Sequence, residues 1–158
     1  MWYATHWPAA TEFMRRGGTA DAPPRYTPVP LGSISPSLVA AVLTAEDARF
    51  REHRGIDWVE VRQALGYRGT RFEWGSARDW LELGRAVATA PARRDPVRGA
   101  STITQQLAKN LYFSPSRSPL RKLKEAVTAY RLERTLGKER ILELYHHLAE
   151  LGPEVWGV

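Results

Sequence analysis

Two Ser-Pro steps, Ser35-Pro36 and Ser118-Pro119, stand directly before apolar residues at helical spacing. Serine suits an N-cap, and proline, with its fixed φ and missing N–H, suits the first helical position. The first step opens a helix through about Glu46 or beyond, with Leu38, Val39, Val42 and Leu43 on its apolar side. The second opens a long helix in which Leu123, Ala126, Val127 and Tyr130 share a buried side and which Gly137 ends. Thr102 with Gln105 fits a capping box for a helix through Asn110. Trp58 to Leu65 reads as a further amphipathic helix, and Lys138 to Glu150 as the last one, with Ile141, Leu142, Tyr145 and Leu148 inward. Between them, Trp74, Trp80, Leu81, Leu83 and Val87 align on one face of a helix begun near Ser76, and Arg93 to Arg98, containing Pro96, is a loop. No strand pattern competes and no internal repeat is present, so the expected fold class is mainly α.

The 158 residues fit one domain, since compact domains run to roughly 100–200 residues. The absence of cysteine excludes a disulfide framework and thiol catalysis without identifying a compartment. No run of about 18 apolar residues occurs, so nothing here spans a bilayer as a helix. Met1 to Ala20 is broken by Pro8, Glu12, Arg15 and Arg16 and does not read as a signal peptide; if the natural protein is membrane-anchored, the anchor is expected outside this chain. Residues 1–34 read as an extended lead-in, rich in Gly and Pro from Gly17 onward, to a domain over 35–158.

Charge is local. The chain carries +6, whereas Arg93 to Lys124 alone holds eight basic residues against Asp95, a balance of +7. That stretch points to an anionic ligand. Nucleic acid is a poor fit, because Tyr112 and Phe113 are its only aromatics and its polar face is Gln/Thr rather than Arg/Lys.

Three segments carry side chains suited to chemistry. If the first helix continues, Glu46, Phe50 and His53 fall on one face, where a partly desolvated Glu serves as a general base. The same pattern also describes a helix end with Phe50 in the core and His53 satisfied by a neighbour. Next, the small residues Gly99-Ala100-Ser101 lead into a helix whose free N–H groups attract anions, and Thr102, Gln105, Gln106 and Lys109 share its polar face. That face suits a hydroxyl-rich, phosphate-bearing ligand, and equally an ordinary capped surface helix. Third, Glu125 lies one turn from Arg121 and Lys122: a helical ion pair, or a lone acid placed to hold a divalent cation on a pyrophosphate.

Taken in order, these segments resemble the signature motifs of the family 51 peptidoglycan glycosyltransferases. Glu46-Asp47-x-x-Phe50-x-x-His53-x-Gly55 resembles the first, and Gly99-Ala100-Ser101-Thr102-Ile103-Thr104-Gln105-Gln106-Leu107-x-Lys109-Asn110 the second. Arg121-Lys122-x-x-Glu125 is similar to the third, Lys138-x-x-Ile141-Leu142-Glu143-x-Tyr145 to the fourth, and Gly152-Pro153-x-x-Trp156-Gly157-Val158 to the start of a fifth. The short Thr11-x-Phe13-Met14 lead-in looks like that of the monofunctional members.

The resemblance implies a lysozyme-like, two-lobed (head and jaw) α fold, with 56–98 as a membrane-proximal jaw lobe and C-terminal helices missing beyond Val158. It implies inverting polymerisation of lipid II into glycan strands with release of undecaprenyl diphosphate. Glu46 would be the general base on the acceptor 4-hydroxyl. Glu125 would act at the donor pyrophosphate, directly or through a divalent cation (Mg or Mn), with no organic cofactor. Lys109, Arg117, Arg121 and Lys122 would hold phosphates, and Asp47, Phe50, His53, Ser101, Gln105, Gln106 and Asn110 would bind sugars or shape the cleft. The partners implied are lipid II, the growing strand, the membrane surface and other cell-wall synthesis proteins, at the outer side of a bacterial inner membrane. The chemistry agrees: pyrophosphate leaves well once its charge is neutralised, so the site needs one base and many cations. A lysozyme-like hydrolase, which would share the fold, instead needs a protonated acid opposite a second carboxylate. A non-catalytic module binding the lipid-linked precursor would need neither. The chain departs from the family pattern at Tyr145-His146-His147, where Tyr-Leu-Asn is usual, and in its long stretch between Gly55 and Gly99.

Overall fold

The computed structural model describes residues 2–8, 27–64, 76–79, 81, 84–85, 101–113, 119–152 and 155–157. Most of the lead-in, Trp74, Trp80, Leu83, Val87, the expected loop from Arg93 to Arg98, and the candidate phosphate ligand Arg117 lie outside them. The chain forms two compact units, Met1–Ile56 with Ser101–Val158, and Asp57–Ala100.

In the larger unit, α1 spans Pro36–Glu46, α3 Ile103–Tyr112, α4 Pro119–Leu136 and α5 Lys138–Leu148. In the smaller unit, α2 spans Trp58–Ala64, and Asp57 caps it: its Oδ1 accepts from the backbone N–H groups of Val59 at 2.8 Å and Glu60 at 3.2 Å. Ser35 stands at the α1 N-cap with Pro36 at the first turn, although its side chain makes no capping bond. The capping box of α3 is complete. Thr102 Oγ1 accepts from Gln105 N at 3.2 Å, and Gln105 Oε1 accepts from Thr102 N at 3.2 Å.

Helix α3 packs against α4 and α5. Their shared core is Ile103, Leu107 and Ala108 from α3, Ala129 and Leu132 from α4, and Ile141, Leu142, Leu144, Tyr145 and Leu148 from α5, with Phe50. Each large aliphatic side chain fully buried here contributes about 1.5–3 kcal/mol of transfer free energy. The expected inward face of α5 is thus the observed one, widened by Leu144.

The face expected for α4 is not. Leu123, Val127 and Tyr130 are exposed, together with Leu120, and the residues turned inward are Glu125, Ala129 and Leu132. Gly55, at φ +90°, lies so close to the inward side of α4 that a Cβ on it would come 3.0 Å from the carbonyl carbon of Ala129 and 3.1 Å from Tyr130 N.

A second departure is strand. Glu150–Gly152 (β1) pairs antiparallel with Val155–Trp156 (β2). The helix expected to reach Glu150 ends at Leu148, ahead of Gly152-Pro153, and the ladder is too short to show alternation.

The described parts of the lead-in are docked on α5. His147 Nε2 lies 2.8 Å from Val29 O, and Glu143 Oε1 accepts from Leu31 N at 3.0 Å. Arg140 donates to Tyr3 O at 3.0 Å and His6 O at 2.9 Å, and its guanidinium stands 4.3 Å from the centre of the Trp7 ring. Among the described residues no helix is long and apolar enough to cross a membrane.

Gly55→Ala tests the approach of the loop to α4. Positive φ and a backbone clash together cost about 1–3 kcal/mol, so the denaturant midpoint falls with an unchanged m-value.

Candidate functional site

The first motif does not continue as helix. Helix α1 stops at Glu46; Asp47 has φ −164° and ψ 74°, and residues 48–56 turn. The Asp47 carboxylate explains the break. It is buried, accepts from the α3 backbone at Ile103 N (3.0 Å), and lies 2.9 Å and 3.0 Å from His53 Nε2 through its two oxygens. A short acidic side chain that finds buried donors elsewhere competes with helix continuation. Phe50 and His53 therefore do not share a helical face with Glu46. Phe50 sits in the core under the Lys138 ammonium, 4.1 Å from its ring centre, and meets His53 edge-on at 6.2 Å.

Glu46 is left exposed, and among the described residues the Gln106 side chain holds it. Gln106 Nε2 donates to Glu46 Oε2 at 2.9 Å and makes a longer contact of 3.4 Å to Ser101 O. Tyr145 Oη donates to Gln106 Oε1 at 3.1 Å from the opposite side. Burial, then the Glu46 and Asp47 charges, push the Tyr145 phenol well above its ordinary range, so it remains a donor.

The second carboxylate has the opposite environment. Glu125 is buried and pairs with Arg121, and Lys122 Nζ approaches its other oxygen at 3.7 Å. Lys122 also donates to Ser101 Oγ at 2.7 Å. A continuous polar path thus runs from Glu46 through Gln106, Ser101 and Lys122 to Glu125.

The polar face expected of α3 divides. Thr102 and Gln105 are buried and spent on the capping box, with Thr102 Oγ1 also donating to Gly55 O at 2.6 Å. Asn110 is buried and donates to Leu148 O at 3.0 Å, tying α3 to the end of α5. Gln106 and Lys109 are half-buried on the same helix. Sequence reasoning placed Tyr145 in the core only and passed over Glu133, whose Oε1 accepts from Thr104 Oγ1 and Lys138 Nζ, each at 2.7 Å. The missed signal at Tyr145 was chemical: a buried phenol needs a partner.

Among the described residues no three His, Asp or Glu side chains gather as metal ligands. Glu125, the candidate metal residue, has its oxygens turned to Arg121 and Lys122. This donor set does not fit a cation held by the protein alone.

A family model described as Transglycosylase matches residues 16–71 and 69–158. The chain belongs to the transglycosylase family. Glu46 to Gly55 and Ser101 to Glu125 both fall inside the matched segments. The mainly α architecture is of the lysozyme-like helical class that the motif resemblance implied. A biosynthetic peptidoglycan transglycosylase of Bordetella pertussis (strain Tohama I) is 42% identical over 99% of this chain and 60% of its own length. Similarly named proteins of Azoarcus sp. (strain BH72) and Laribacter hongkongensis are each 40% identical, over 99% and 95% of this chain and 61% and 59% of their own lengths. The chain therefore spans about 60% of the length of the curated relatives it matches.

Asp47→Asn removes a buried charge from two charge-assisted contacts and lowers the unfolding free energy by about 2 kcal/mol. The exposed neighbouring variant Glu46→Gln leaves the denaturant midpoint where it is. Equal destabilisation by the two would refute the anchoring role of Asp47.

Proposed function

We propose that the chain is the glycosyl-transfer part of an enzyme that polymerises lipid II into glycan strands. The observation that carries this is the contrast between its two carboxylates. Glu46 is exposed, with one oxygen oriented by Gln106, and serves as the base. Glu125 is buried under Arg121 and Lys122, and serves as the anchor that arrays these cations. A hydrolase would need a carboxylic acid free to donate its proton, and a clamped Glu125 is poorly suited to that. The family membership and the names of the relatives point the same way.

In this mechanism Glu46 takes the proton from the acceptor sugar 4-hydroxyl as its oxygen bonds to the donor anomeric carbon. The bond from that carbon to the pyrophosphate oxygen breaks with inversion, and undecaprenyl diphosphate leaves. Arg121 and Lys122, with Lys109 and Arg117 as the motifs imply, offset the charge that develops on the leaving group. A Mg or Mn ion would arrive with the pyrophosphate, since the donor set does not make a cage for it.

The membrane surface belongs to the same proposal. The outward side of α4 exposes Leu120, Leu123, Val127 and Tyr130, interleaved with exposed Lys124, Arg131 and Arg134. The two acids of this helix, Glu125 and Glu133, have buried side chains. An apolar and cationic face without carboxylates suits an anionic bilayer. We accordingly place the unit at the outer surface of a bacterial inner membrane.

Two measurements test this. Incubation with labelled lipid II and Mg gives long glycan strands, and Glu46→Gln abolishes them while circular dichroism is unchanged. Full activity in that variant, or shortening of ready-made glycan by the parent, would overturn the assignment. Separately, the protein floats with vesicles containing anionic lipid and not with neutral ones, and Leu123→Asp weakens flotation several-fold. Unchanged flotation would remove α4 from the membrane contact.

A further inference from the structure

The exposed base is oriented from inside the core. An ionised carboxylate only accepts hydrogen bonds, so Gln106 must turn its NH2 group toward Glu46 Oε2 and its oxygen toward Tyr145. The phenol must then donate. The second amide hydrogen points toward Ser101 O, so both donors and the acceptor of the Gln106 amide are engaged. Gln106 thus has one orientation, and the group that fixes its far end is Tyr145, on α5 with its ring in the core.

We propose that Tyr145 is a positioning residue for glycosyl transfer: its hydroxyl locks the Gln106 amide, which holds Glu46 by Oε2 and leaves Oε1 to receive the acceptor proton. Tyr145 does not touch substrate in this scheme. It removes the rotamer freedom that an exposed glutamate otherwise has, so the base is in place before the acceptor arrives. The raised phenol keeps the relay intact through neutral and mildly alkaline pH, because a phenolate would face the Gln106 oxygen without a proton to share. The catalytic consequence rests on the transferase reading above; the hydrogen-bond relay does not.

Tyr145→Phe deletes one oxygen and keeps the ring. The expected result by NMR of the Gln106 side-chain amide is faster exchange of its protons with water, by about tenfold, the scale of one ordinary hydrogen bond. In the polymerisation assay kcat falls by about the same factor while KM for lipid II stays within about twofold. Gln106→Met, of similar volume, lowers kcat as well, and the double variant is no slower than Gln106→Met alone. A relay acting only through packing would instead leave Gln106 exchange unchanged in Tyr145→Phe, or make the two substitutions additive, and either result overturns the proposal. A Gln106 amide that responds to Tyr145→Phe in a protein that makes no glycan would sustain the relay and refute the transferase reading.

Discussion

The buried carboxylate of Asp47 is the constraint on which the site depends. It ends α1, collects His53 from the following turns, and accepts the first N–H of α3, more than fifty residues on. This sets an exposed glutamate at the last residue of α1 and beside Gln106 of α3. The cost of burying that charge is offset by two donors, His53 Nε2 and Ile103 N, and an N-terminal helix end also favours a negative charge electrostatically. The loop closed by this anchor continues to Gly55, whose positive φ and lack of a Cβ let it lie against Ala129. One carboxylate thereby links three of the motif segments: the first through its own loop, the second through α3, and the third through the helix the loop touches.

Two glutamates of the same intrinsic chemistry are given different work by what surrounds them. Glu46 meets solvent and a neutral amide, which orients it without taking up its charge. Glu125 meets a guanidinium and an ammonium, and in exchange fixes where those cations stand. Lys122 is the more accessible of the two cations, exposed and shared between Glu125 and Ser101 Oγ. In the proposed reaction a pyrophosphate would compete for Lys122 against a hydroxyl and a 3.7 Å ion pair, whereas Arg121 is committed more closely to Glu125.

Much of this was legible in the residues. The α3 capping box, the inward face of α5 and the proline at the start of α1 follow from local rules that tertiary packing did not override. The α4 face was misread for a physical reason. Both sides of that helix are helix-compatible, and the more apolar one is turned outward while the Ala129 backbone lies against Gly55. Periodicity weighs hydrophobicity and is blind to close backbone approach. Helix continuation past Glu46 failed similarly: the i, i+4, i+7 spacing was real, but the competing partners of Asp47 lie on a distant segment. The placement of Tyr145 was correct while its hydroxyl went unread, because spacing shows that a ring is buried and says nothing of where its oxygen must bond.

Helix α5 emerges as the element that both sides of the larger unit lean on. One of its faces carries Tyr145 toward Gln106 and Glu46; another carries Arg140, Glu143 and His147 toward the lead-in at Tyr3, His6, Leu31 and Val29. The departure of His147 from the usual family residue fits this arrangement. An imidazole is longer than an amide, and here its Nε2 reaches a backbone carbonyl while its ring meets Trp7 edge-on at 4.9 Å. Position 147 is thus a structural contact to the lead-in, held by the same helix whose Tyr145 reaches Glu46 through Gln106. A shift of α5 would therefore displace Tyr145 and the lead-in together, because the contacts that hold the chain's first residues and the hydrogen bond that reaches Glu46 through Gln106 stand on one helix.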